Sequence, residues 1–320
     1  MSLLPEMTIC LDMMGGDFAP LEAVKGIRDY LTETNDPAML FLAGDEAQIN
    51  PLLQQYQIPA ERVRVIHAPQ VIEYNESPTK ALKEKQQSSI AVGFHLLATG
   101  KVAAFISAGN TGAMLVGAMY SIKPIEGVQR PTIATIIPKD NGLTGLLLDV
   151  GLNADCKPEH LSQFATLGSL YAQHILGIDN PRVALLNIGE EEGKGNLLAQ
   201  AAYPLLKENN LINFTGNVEG RDILLDKADV MVCDGFTGNV ILKLAESLYE
   251  ITHRKNIKHE YLDQFNFELY GGTPVLGVAK PVIIGHGISH AKAFCNMIHL
   301  AKKMIAADLL GKMKASFDSK

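Results

Sequence analysis

The sequence predicts an α/β fold with a mainly parallel sheet, and two observations carry that prediction. Short apolar segments alternate with longer segments in which apolar residues recur at helical spacing, the pattern of alternating strands and helices. Five apolar segments also end in glycine-rich polar turns, at residues 12–17, 107–112, 148–155, 187–196 and 233–239. Because ligands of open α/β sheets bind beyond the carboxyl ends of the strands, we expect these turns to meet at one pocket.

Residues 102–122 form the longest uncharged stretch and give the clearest local prediction. The length suits a membrane span of ~20 residues, but the centre is polar and would lie where a bilayer is driest. That centre contains Ser107, Gly109, Asn110, Thr111 and Gly112. We therefore predict a buried strand at 102–106, a turn at 107–110, and a helix capped by Asn110 or Thr111. The start of such a helix favours an anion, although an ordinary buried cap is the simpler interpretation.

Before this stretch, the alternation predicts strands at 8–11, 39–43 and 63–66, a helix at 20–31, and another helix between the last two strands. A long helix is predicted at 77–98, because Ser-Pro is typical of a helix start. Its early lysines are Lys80, Lys83 and Lys85, and the helix dipole disfavours positive charge there. They indicate either a solvated face or a surface that receives an anionic ligand or partner.

After this stretch, strands are predicted directly after Pro131 and at 142–150, 182–187, 213–221, 228–233 and 281–285. Helices are predicted at 158–176, 236–248 and 288–310. Residues 249–275 interrupt the alternation, and we predict an excursion outside the main sheet within a single catalytic unit formed by residues 1–320. The excursion includes Arg254, Lys255 and Lys258 beside aromatic residues, which indicates a surface helix or a docking surface.

Composition excludes several classes of function. The 320-residue chain has a formal net charge of -7, and no basic stripe marks a nucleic-acid binder. The four cysteines are scattered without CxxC spacing, and no His, Cys and carboxylate set has metal-ligand spacing, so we expect neither a disulfide nor a metal site. The first residues lack the basic and apolar regions of a signal peptide. These features predict a cytoplasmic protein.

The turn at 187–196 nearly matches a phosphate-binding loop. A Walker A loop has four residues between its glycines, and Ser or Thr after its lysine. Here three residues separate Gly189 from Gly193, and Gly195 follows Lys194. No GxGxxG motif is present either, so nucleotide binding is only weakly supported.

An ordered series of motifs extends over residues 9–301. It includes DMMGGDFAP, SPTKALKEKQQSSI, SAGNTGA, LLDVGLNAD, NPRVALLNIGEEEGKGN, VCDGFTGNVILK and GHGISHAKA. The series strongly resembles the acyl-ACP:phosphate acyltransferase family of bacterial phospholipid synthesis. The resemblance implies a cytoplasmic homodimer, without a cofactor, that transfers a fatty acyl group from acyl carrier protein to inorganic phosphate. A downstream acyltransferase would use the acyl phosphate.

The resemblance also implies a three-layer α/β/α fold, similar to that of isocitrate and isopropylmalate dehydrogenases and of phosphotransacetylase. The sequence departs from the family pattern at Met14, at Leu152 and in GHGISH. More importantly, the stretch between Lys243 and Tyr270 is shorter than in many members, in which it holds amphipathic helices linked to membrane contact. We therefore expect at most weak peripheral contact with a membrane.

The implied reaction needs little acid–base catalysis. Phosphate, with a second pKa of about 6 by analogy with phosphoserine, is largely a dianion at neutral pH. The leaving thiol, with a pKa of about 8.5, departs as a thiolate. The reaction does need an anion cradle, alignment of phosphate with the thioester carbonyl, and donors to the developing oxyanion.

Candidate residues follow from these needs. Lys194 is the first candidate for a cation that holds phosphate or stabilises the oxyanion, because its flanking glycines let the backbone come close; a solvated loop lysine is the alternative. Asn187 is a candidate amide donor, and Asp234 either orients donors or caps a helix. The remaining candidates for binding phosphate or the acyl carbonyl are Asp12, Gly15, Gly16, Asp17, Ser107, Gly109, Asn110, Thr111, Gly112, Arg130, Asp149, Asn153, Gly235, Thr237, Asn239 and His286. Because acyl carrier proteins are acidic, the candidate docking residues are Lys80, Lys83, Lys85, Arg254, Lys255 and Lys258.

Other functions remain open. A phosphotransacetylase-like enzyme would use acyl-CoA in place of a carrier protein, and a non-catalytic scaffold would bind the carrier without turnover. A β-decarboxylating dehydrogenase would need clustered aspartates for Mg²⁺ and a nicotinamide site, and the sequence shows no convincing version of either.

Overall fold

The structure is a computed structural model that describes residues 7–34 and 37–318. The first six residues, which enter the signal-peptide prediction, lie outside this range. Contacts between Cα atoms divide the chain into two compact units. One comprises Met1–Pro124 and Phe267–Leu310, and the other comprises Ile125–Asn266 and Gly311–Lys320.

The first unit is built on a six-stranded sheet. In spatial order its strands are β3 (Val63–His67), β2 (Met39–Gly44), β1 (Thr8–Asp12), β4 (Ala104–Ser107), β11 (Val282–Ile284) and β10 (Thr273–Leu276). All neighbours are parallel except β10, which is antiparallel to β11. Every residue of β1 and β4 is buried, as expected of parallel strands covered on both faces.

Within residues 7–34 and 37–318, six α-helices belong to this unit. They are α1 (Leu21–Glu33), α2 (Glu46–Gln55), α3 (Pro78–Glu84), α4 (Ser89–Ala98), α5 (Thr111–Gly117) and α10 (Ala291–Ala306). A π-helical turn at Ala118–Ile122 continues α5. The final helix of the chain, α11, spans Leu309–Phe317.

The second unit has a five-stranded sheet. Its spatial order is β5 (Thr132–Pro138), β6 (Thr144–Leu148), β9 (Val230–Val232), β7 (Arg182–Asn187) and β8 (Asn213–Glu219). β5 and β6 form an antiparallel hairpin, and the other neighbours are parallel. Its helices are α6 (Pro158–Tyr171), α7 (Leu197–Lys207), α8 (Gly235–Arg254) and α9 (Glu260–Asp263).

The prediction of an α/β fold with a mainly parallel sheet is confirmed, and the strand predicted at 182–187 coincides with β7. The single helix predicted at 77–98 is wrong, because it is two helices separated by residues 85–88. Ser88 forms a β-bridge with Gln70, and its Oγ accepts a hydrogen bond from the Ala91 N–H at 3.3 Å. Ser88 therefore starts a new helix instead of continuing the old one.

Further boundaries differ from the predictions. The helix predicted at 236–248 extends to Arg254 as α8, within the range predicted for the excursion. The helix predicted at 288–310 ends at Ala306, and Asp308 has a left-handed φ of 47° that a continuing helix does not tolerate. Within the excursion predicted at 249–275, Thr273–Leu276 is a sheet strand, and its Val275 and Leu276 are buried. Burial of these apolar side chains favours the sheet over an exposed loop. That residues 1–320 act as a single catalytic unit stays a prediction. Among the described residues, every helix is too short or too polar to cross a membrane.

Candidate functional site

A buried carboxylate joins two of the predicted turns in the first unit. Asp12 ends β1, and Ser107 ends the adjacent parallel strand β4. The Ser107 hydroxyl donates to Asp12 Oδ2 at 2.7 Å, and the Met14 N–H donates to Asp12 Oδ1 at 3.0 Å. Burial raises the pKa of the Asp12 carboxyl above its usual value, while the Ser107 hydroxyl and other donors oppose that rise. Asp12 thus fixes both turns at the carboxyl edge of the sheet.

The glycines of these turns permit close packing of the backbone. A Cβ on Gly15 would lie 2.5 Å from Asp12 Oδ2 and 2.6 Å from the Gly109 nitrogen. Gly16 has a φ of +107°, a conformation that favours glycine. The next residue, Asp17, donates its N–H to Gly287 O at 2.8 Å and so brings in the loop that contains His286.

Three of the backbone donors predicted for phosphate are already engaged. The Gly109 N–H donates to Ser107 Oγ at 2.9 Å, the Gly15 N–H donates to Asp12, and the Gly16 N–H donates to the Tyr74 hydroxyl. Because a buried N–H without a partner is costly, these bonds hold the turn together. In this conformation Gly15, Gly16 and Gly109 therefore allow the backbone of the turns to pack closely, and their N–H groups are not free to bind phosphate.

Asn110 is the N-cap of α5, as predicted. Its Oδ1 accepts from the Ala113 N–H at 2.9 Å, and its Nδ2 donates to Glu73 O at 2.8 Å. The side-chain amide is thus used in the scaffold. The amides of Thr111 and Gly112 open the helix, and the first N–H groups of a helix lack partners within it.

Tyr74 belongs to this cluster and was missed from the sequence. Its hydroxyl donates to Ala108 O at 3.1 Å, although the residue is 53% exposed. Burial, followed by the charges of Asp17 and Asp12, raises the pKa of Tyr74 to about 12, so the phenol stays protonated. It lies in a loop outside the quoted motifs, so no signal pointed to it. His286 is held locally, because its Nδ1 accepts from the Ile288 N–H at 3.3 Å.

In the second unit, Asp149 organises the turn after β6. Its carboxylate accepts from the N–H groups of Ile133, Gly151, Leu152 and Asn153 and from the Asn153 side-chain amide. Burial raises the pKa of the Asp149 carboxyl, while hydrogen bonds from Asn153 and the backbone favour its ionised form. Arg130 Nη1 lies 3.5 Å from Asn153 Oδ1. Asp149 thus holds Asn153 in place, and Asn153 contacts the guanidinium of Arg130.

The start of α8 packs against this turn. Asp234 caps the helix, since its carboxylate accepts from the Thr237 N–H at 2.8 Å and from the Thr237 hydroxyl at 2.9 Å. The Gly235 N–H donates to Asn153 O at 2.7 Å, and Asn239 Nδ2 donates to Val150 O at 3.1 Å. The helix-cap interpretation of Asp234 is therefore confirmed.

A cavity of about 250 Å³ lies at the carboxyl ends of β7 and β9. Its polar lining includes Asn187, Asn196, Asp234 and Thr237. Lys194 lies on the loop beside it, where Asn187 Nδ2 donates to the Lys194 carbonyl at 3.1 Å. The Lys194 side chain is 51% exposed, and its Nζ lies 3.8 Å from Glu191 Oε1. The ammonium group is therefore accessible rather than buried.

The six predicted docking residues differ in availability. Lys80 and Lys83 are exposed on α3, and Arg254, Lys255 and Lys258 are exposed in the second unit. Lys85 is instead engaged, because its Nζ donates to Val71 O at 2.7 Å and to Glu76 Oε2 at 2.6 Å. The partner carboxylate neutralises its charge, so Lys85 is a poor docking residue.

The sequence of this chain is similar to a known protein family over most of its length. A family model described as "Fatty acid synthesis protein" matches residues 7–257. A phosphate acyltransferase of Dictyoglomus turgidum is 43% identical over 326 residues, which cover 96% of each chain. Another, of Halothermothrix orenii, is 44% identical and covers 96% of this chain and 98% of its own. The chain belongs to the phosphate acyltransferase family. It is therefore an acyltransferase, and the resemblance of its motifs is confirmed.

The fold of this phosphate acyltransferase is similar to that of a solved structure. The EutD phosphotransacetylase from Staphylococcus aureus matches with a TM-score of 0.63, covering 93% of this chain and 94% of its own. At 18% identity this likeness shows the fold alone. It confirms the predicted similarity to phosphotransacetylase.

Proposed function

We propose that the chain transfers a fatty acyl group from acyl carrier protein to inorganic phosphate, yielding acyl phosphate for phospholipid synthesis. The observation that carries this proposal is the similarity, over nearly the full length, to phosphate acyltransferases. A phosphate oxygen attacks the thioester carbonyl carbon, the C–O bond forms, and the C–S bond breaks. The electron pair leaves with the carrier thiol as a thiolate, which then takes a proton from solvent.

We assign anion binding to groups that are still available in each unit. In the first unit these are the Thr111 hydroxyl and the amides of Thr111 and Gly112 at the start of α5. In the second unit they are Arg130 and Lys194, and the Lys194 loop adjoins the cavity lined by Asn187 and Asp234. Cations and fixed donors stabilise both the phosphate and the oxyanion that develops on the carbonyl oxygen. Asp12 and Asp149 act indirectly, by fixing the turns that carry these groups.

The carrier protein is proposed to dock on α3 of the first unit. Lys80 and Lys83 offer positive charge to an acidic carrier. Beside them lies a cavity of about 290 Å³, whose apolar lining includes Leu82, Phe94 and Val116, a surface suited to an acyl chain. α3 also packs on the helix that starts at the Asn110 turn, since a Cβ on Gly112 would lie 2.5 Å from Pro78 Cγ.

We also propose that two chains associate through α8. Five large apolar residues on this helix are exposed, namely Phe236, Val240, Leu244, Leu248 and Ile251. Their spacing of three or four residues places them on one face of the helix. Such a stripe is costly in water and suits a second copy of the same helix. A cytoplasmic location with weak peripheral membrane contact completes the proposal, and a membrane is the rival occupant of the stripe.

The deciding experiment uses purified protein with long-chain acyl-ACP or acyl-CoA, with and without phosphate. We expect release of the carrier thiol to depend on phosphate, and radiolabelled phosphate to appear in acyl phosphate. Faster turnover of acyl-CoA than of acyl-ACP would instead support a phosphotransacetylase-like enzyme. Carrier binding without phosphate-dependent thioester loss would support a scaffold.

A further inference from the structure

Three side chains with different metal-binding atoms lie together on the first unit, apart from the turns described above. Glu33 is the last residue of α1, and Cys295 and His299 lie on α10. Cys295 and His299 are four residues apart, so they share one face of their helix. The ligand atoms of all three lie within 4.8 Å of one another.

The distances within this cluster approach those of a tetrahedral site. Cys295 Sγ lies 3.5 Å and His299 Nε2 lies 3.0 Å from Glu33 Oε2. Around Zn²⁺, with Zn–S of about 2.3 Å and Zn–N and Zn–O of about 2.0–2.2 Å, neighbouring ligand atoms are roughly 3.3–3.7 Å apart. Small rotations of the Glu33 side chain would therefore admit the ion.

The side chains of this cluster differ in burial. Cys295 is 3% exposed, which holds its side chain against the protein. The ring of His299 is supported by an edge contact with Tyr30 at 4.9 Å between centroids. The side chain of Glu33 is 59% exposed, which leaves a path for an ion and room for water as a fourth ligand.

We propose that Glu33, Cys295 and His299 bind one Zn²⁺ ion, with water in the fourth position. A thiolate, an imidazole and a carboxylate together suit zinc rather than Mg²⁺ or Ca²⁺, which prefer oxygen ligands. Binding replaces the Cys295 S–H bond with a Zn–S bond and releases one proton to solvent, without any change of oxidation state. The ion would tie the end of α1 to α10. The prediction of no metal site considered spacing along the chain, whereas these ligands come from two helices.

The test uses the full-length protein, stripped of metal with a chelator and titrated with Co²⁺ as a spectroscopic probe. We expect the visible bands of tetrahedral cobalt together with a thiolate-to-cobalt charge-transfer band, both abolished by added Zn²⁺. Cys295→Ser should remove the charge-transfer band. Glu33→Gln and His299→Asn should weaken Co²⁺ binding by at least ~100-fold, beyond the 10–100-fold typical of lost second-shell partners.

Matched controls remove the same residue types elsewhere, at Cys156 and at the exposed His95. Cys156→Ser and His95→Asn should keep the wild-type spectrum and affinity. Zn²⁺ should also raise the Tm of the wild type but not that of Glu33→Gln, whose substitution is at an exposed side chain and preserves the fold. The proposal is overturned if cobalt shows no tetrahedral spectrum, if Cys295→Ser keeps the charge-transfer band, or if Zn²⁺ raises the Tm of Glu33→Gln equally.

Discussion

Two buried aspartates set the geometry of the turns that follow their strands. Asp12 accepts from the Ser107 hydroxyl at the end of the neighbouring strand, and Asp149 accepts from four backbone N–H groups and one side-chain amide of its own region. Each carboxyl group accepts hydrogen bonds from N–H or O–H groups rather than from a cationic side chain. Such residues fix the turns that carry the groups proposed to bind substrate.

Lys194 is the residue whose loss should affect turnover most. We expect Lys194→Ala to lower kcat for acyl phosphate formation by about 100-fold, the scale seen when one oxyanion donor is removed. Lys207→Ala is the matched control, because Lys207 is also exposed in the second unit and pairs with Glu192 at 3.1 Å. Steady-state kinetics with acyl-ACP measure both variants. Wild-type turnover in a folded Lys194→Ala protein would remove Lys194 from the mechanism.

A buried ion network in the second unit predicts a pH-dependent stability. Lys139 is fully buried, and its Nζ donates to Asp226 at 2.9 Å and to Asp229 at 2.8 Å. Burial alone would raise the pKa of Asp229, but hydrogen bonds from Arg182 and Lys139 outweigh it and hold the pKa well below its usual range. A carboxyl with a lowered folded-state pKa contributes stability above its unfolded pKa of about 3.9 and loses that contribution as the pH falls further.

We therefore expect Asp229→Asn to lower the free energy of unfolding by about 3 kcal/mol near pH 7, the scale for removing one partner of a buried pair. The difference from wild type should shrink as the pH falls from about 4 toward 2. Urea unfolding across this pH range gives the measurement. Asp155→Asn, at an exposed position, should differ little from wild type at any pH. A deficit for Asp229→Asn that is constant with pH would contradict the role given to the ionised carboxylate.

The start of helix α8 is closely packed, whereas the rest of the helix has an exposed apolar face. Its start is packed against the turn after β6 so closely that a Cβ on Gly238 would lie 1.9 Å from Asp149 O. Beyond that start, the face containing Val240, Leu244 and Leu248 is exposed. The same helix thus anchors candidate binding residues at its start and exposes an apolar surface beyond it.

We expect Leu244→Glu to convert a dimer to a monomer, because the substitution places a charge at the centre of the apolar stripe. Lys243→Glu is the matched control, since Lys243 is exposed on the same helix and only forms a pair with Glu246. Sedimentation velocity measures association, and flotation with anionic lipid vesicles measures membrane contact. If Leu244→Glu abolishes vesicle binding and leaves the association state unchanged, the stripe contacts membrane instead.

At the scale of the whole molecule, each unit has its own sheet and its own cluster of polar turns. The first unit offers Lys80 and Lys83 and the second offers Arg254, Lys255 and Lys258. Because the chain has a net charge of -7, which would repel the proposed acidic carrier, docking would depend on such local patches.

We expect the double variant Lys80→Glu/Lys83→Glu to raise the KM for acyl-ACP roughly tenfold at low salt and less at high salt, since exposed charges are screened. The KM for phosphate should not change. Lys101→Glu is the control, because this exposed lysine precedes β4 and so lies near the opposite end of that strand from the Asn110 turn. An unchanged KM for acyl-ACP, or an increase only on reversal of Arg254, Lys255 and Lys258, would move the docking surface to the second unit.

The sequence by itself determined the alternation of strands and helices, a helix cap at Asn110 or Thr111, and the family. Apolar periodicity, cap residues and ordered motifs are local properties, so they can be recognised before the chain folds. Only the tertiary structure decided which donors are available. From the sequence, the N–H groups of Gly15, Gly16 and Gly109 are predicted to bind phosphate. In the fold they donate instead to Asp12, Tyr74 and Ser107, respectively, because an N–H group removed from water needs a partner.

Packing of distant parts of the chain also explains the other differences between the predictions and the structure. Lys85 is a free cation in the sequence but is neutralised by Glu76 in the fold. Tyr74 reaches Ala108 across thirty-four residues of chain, and Glu33 meets Cys295 across more than two hundred and sixty. Contacts between residues so far apart along the chain depend on how the elements pack, and no local pattern encodes them.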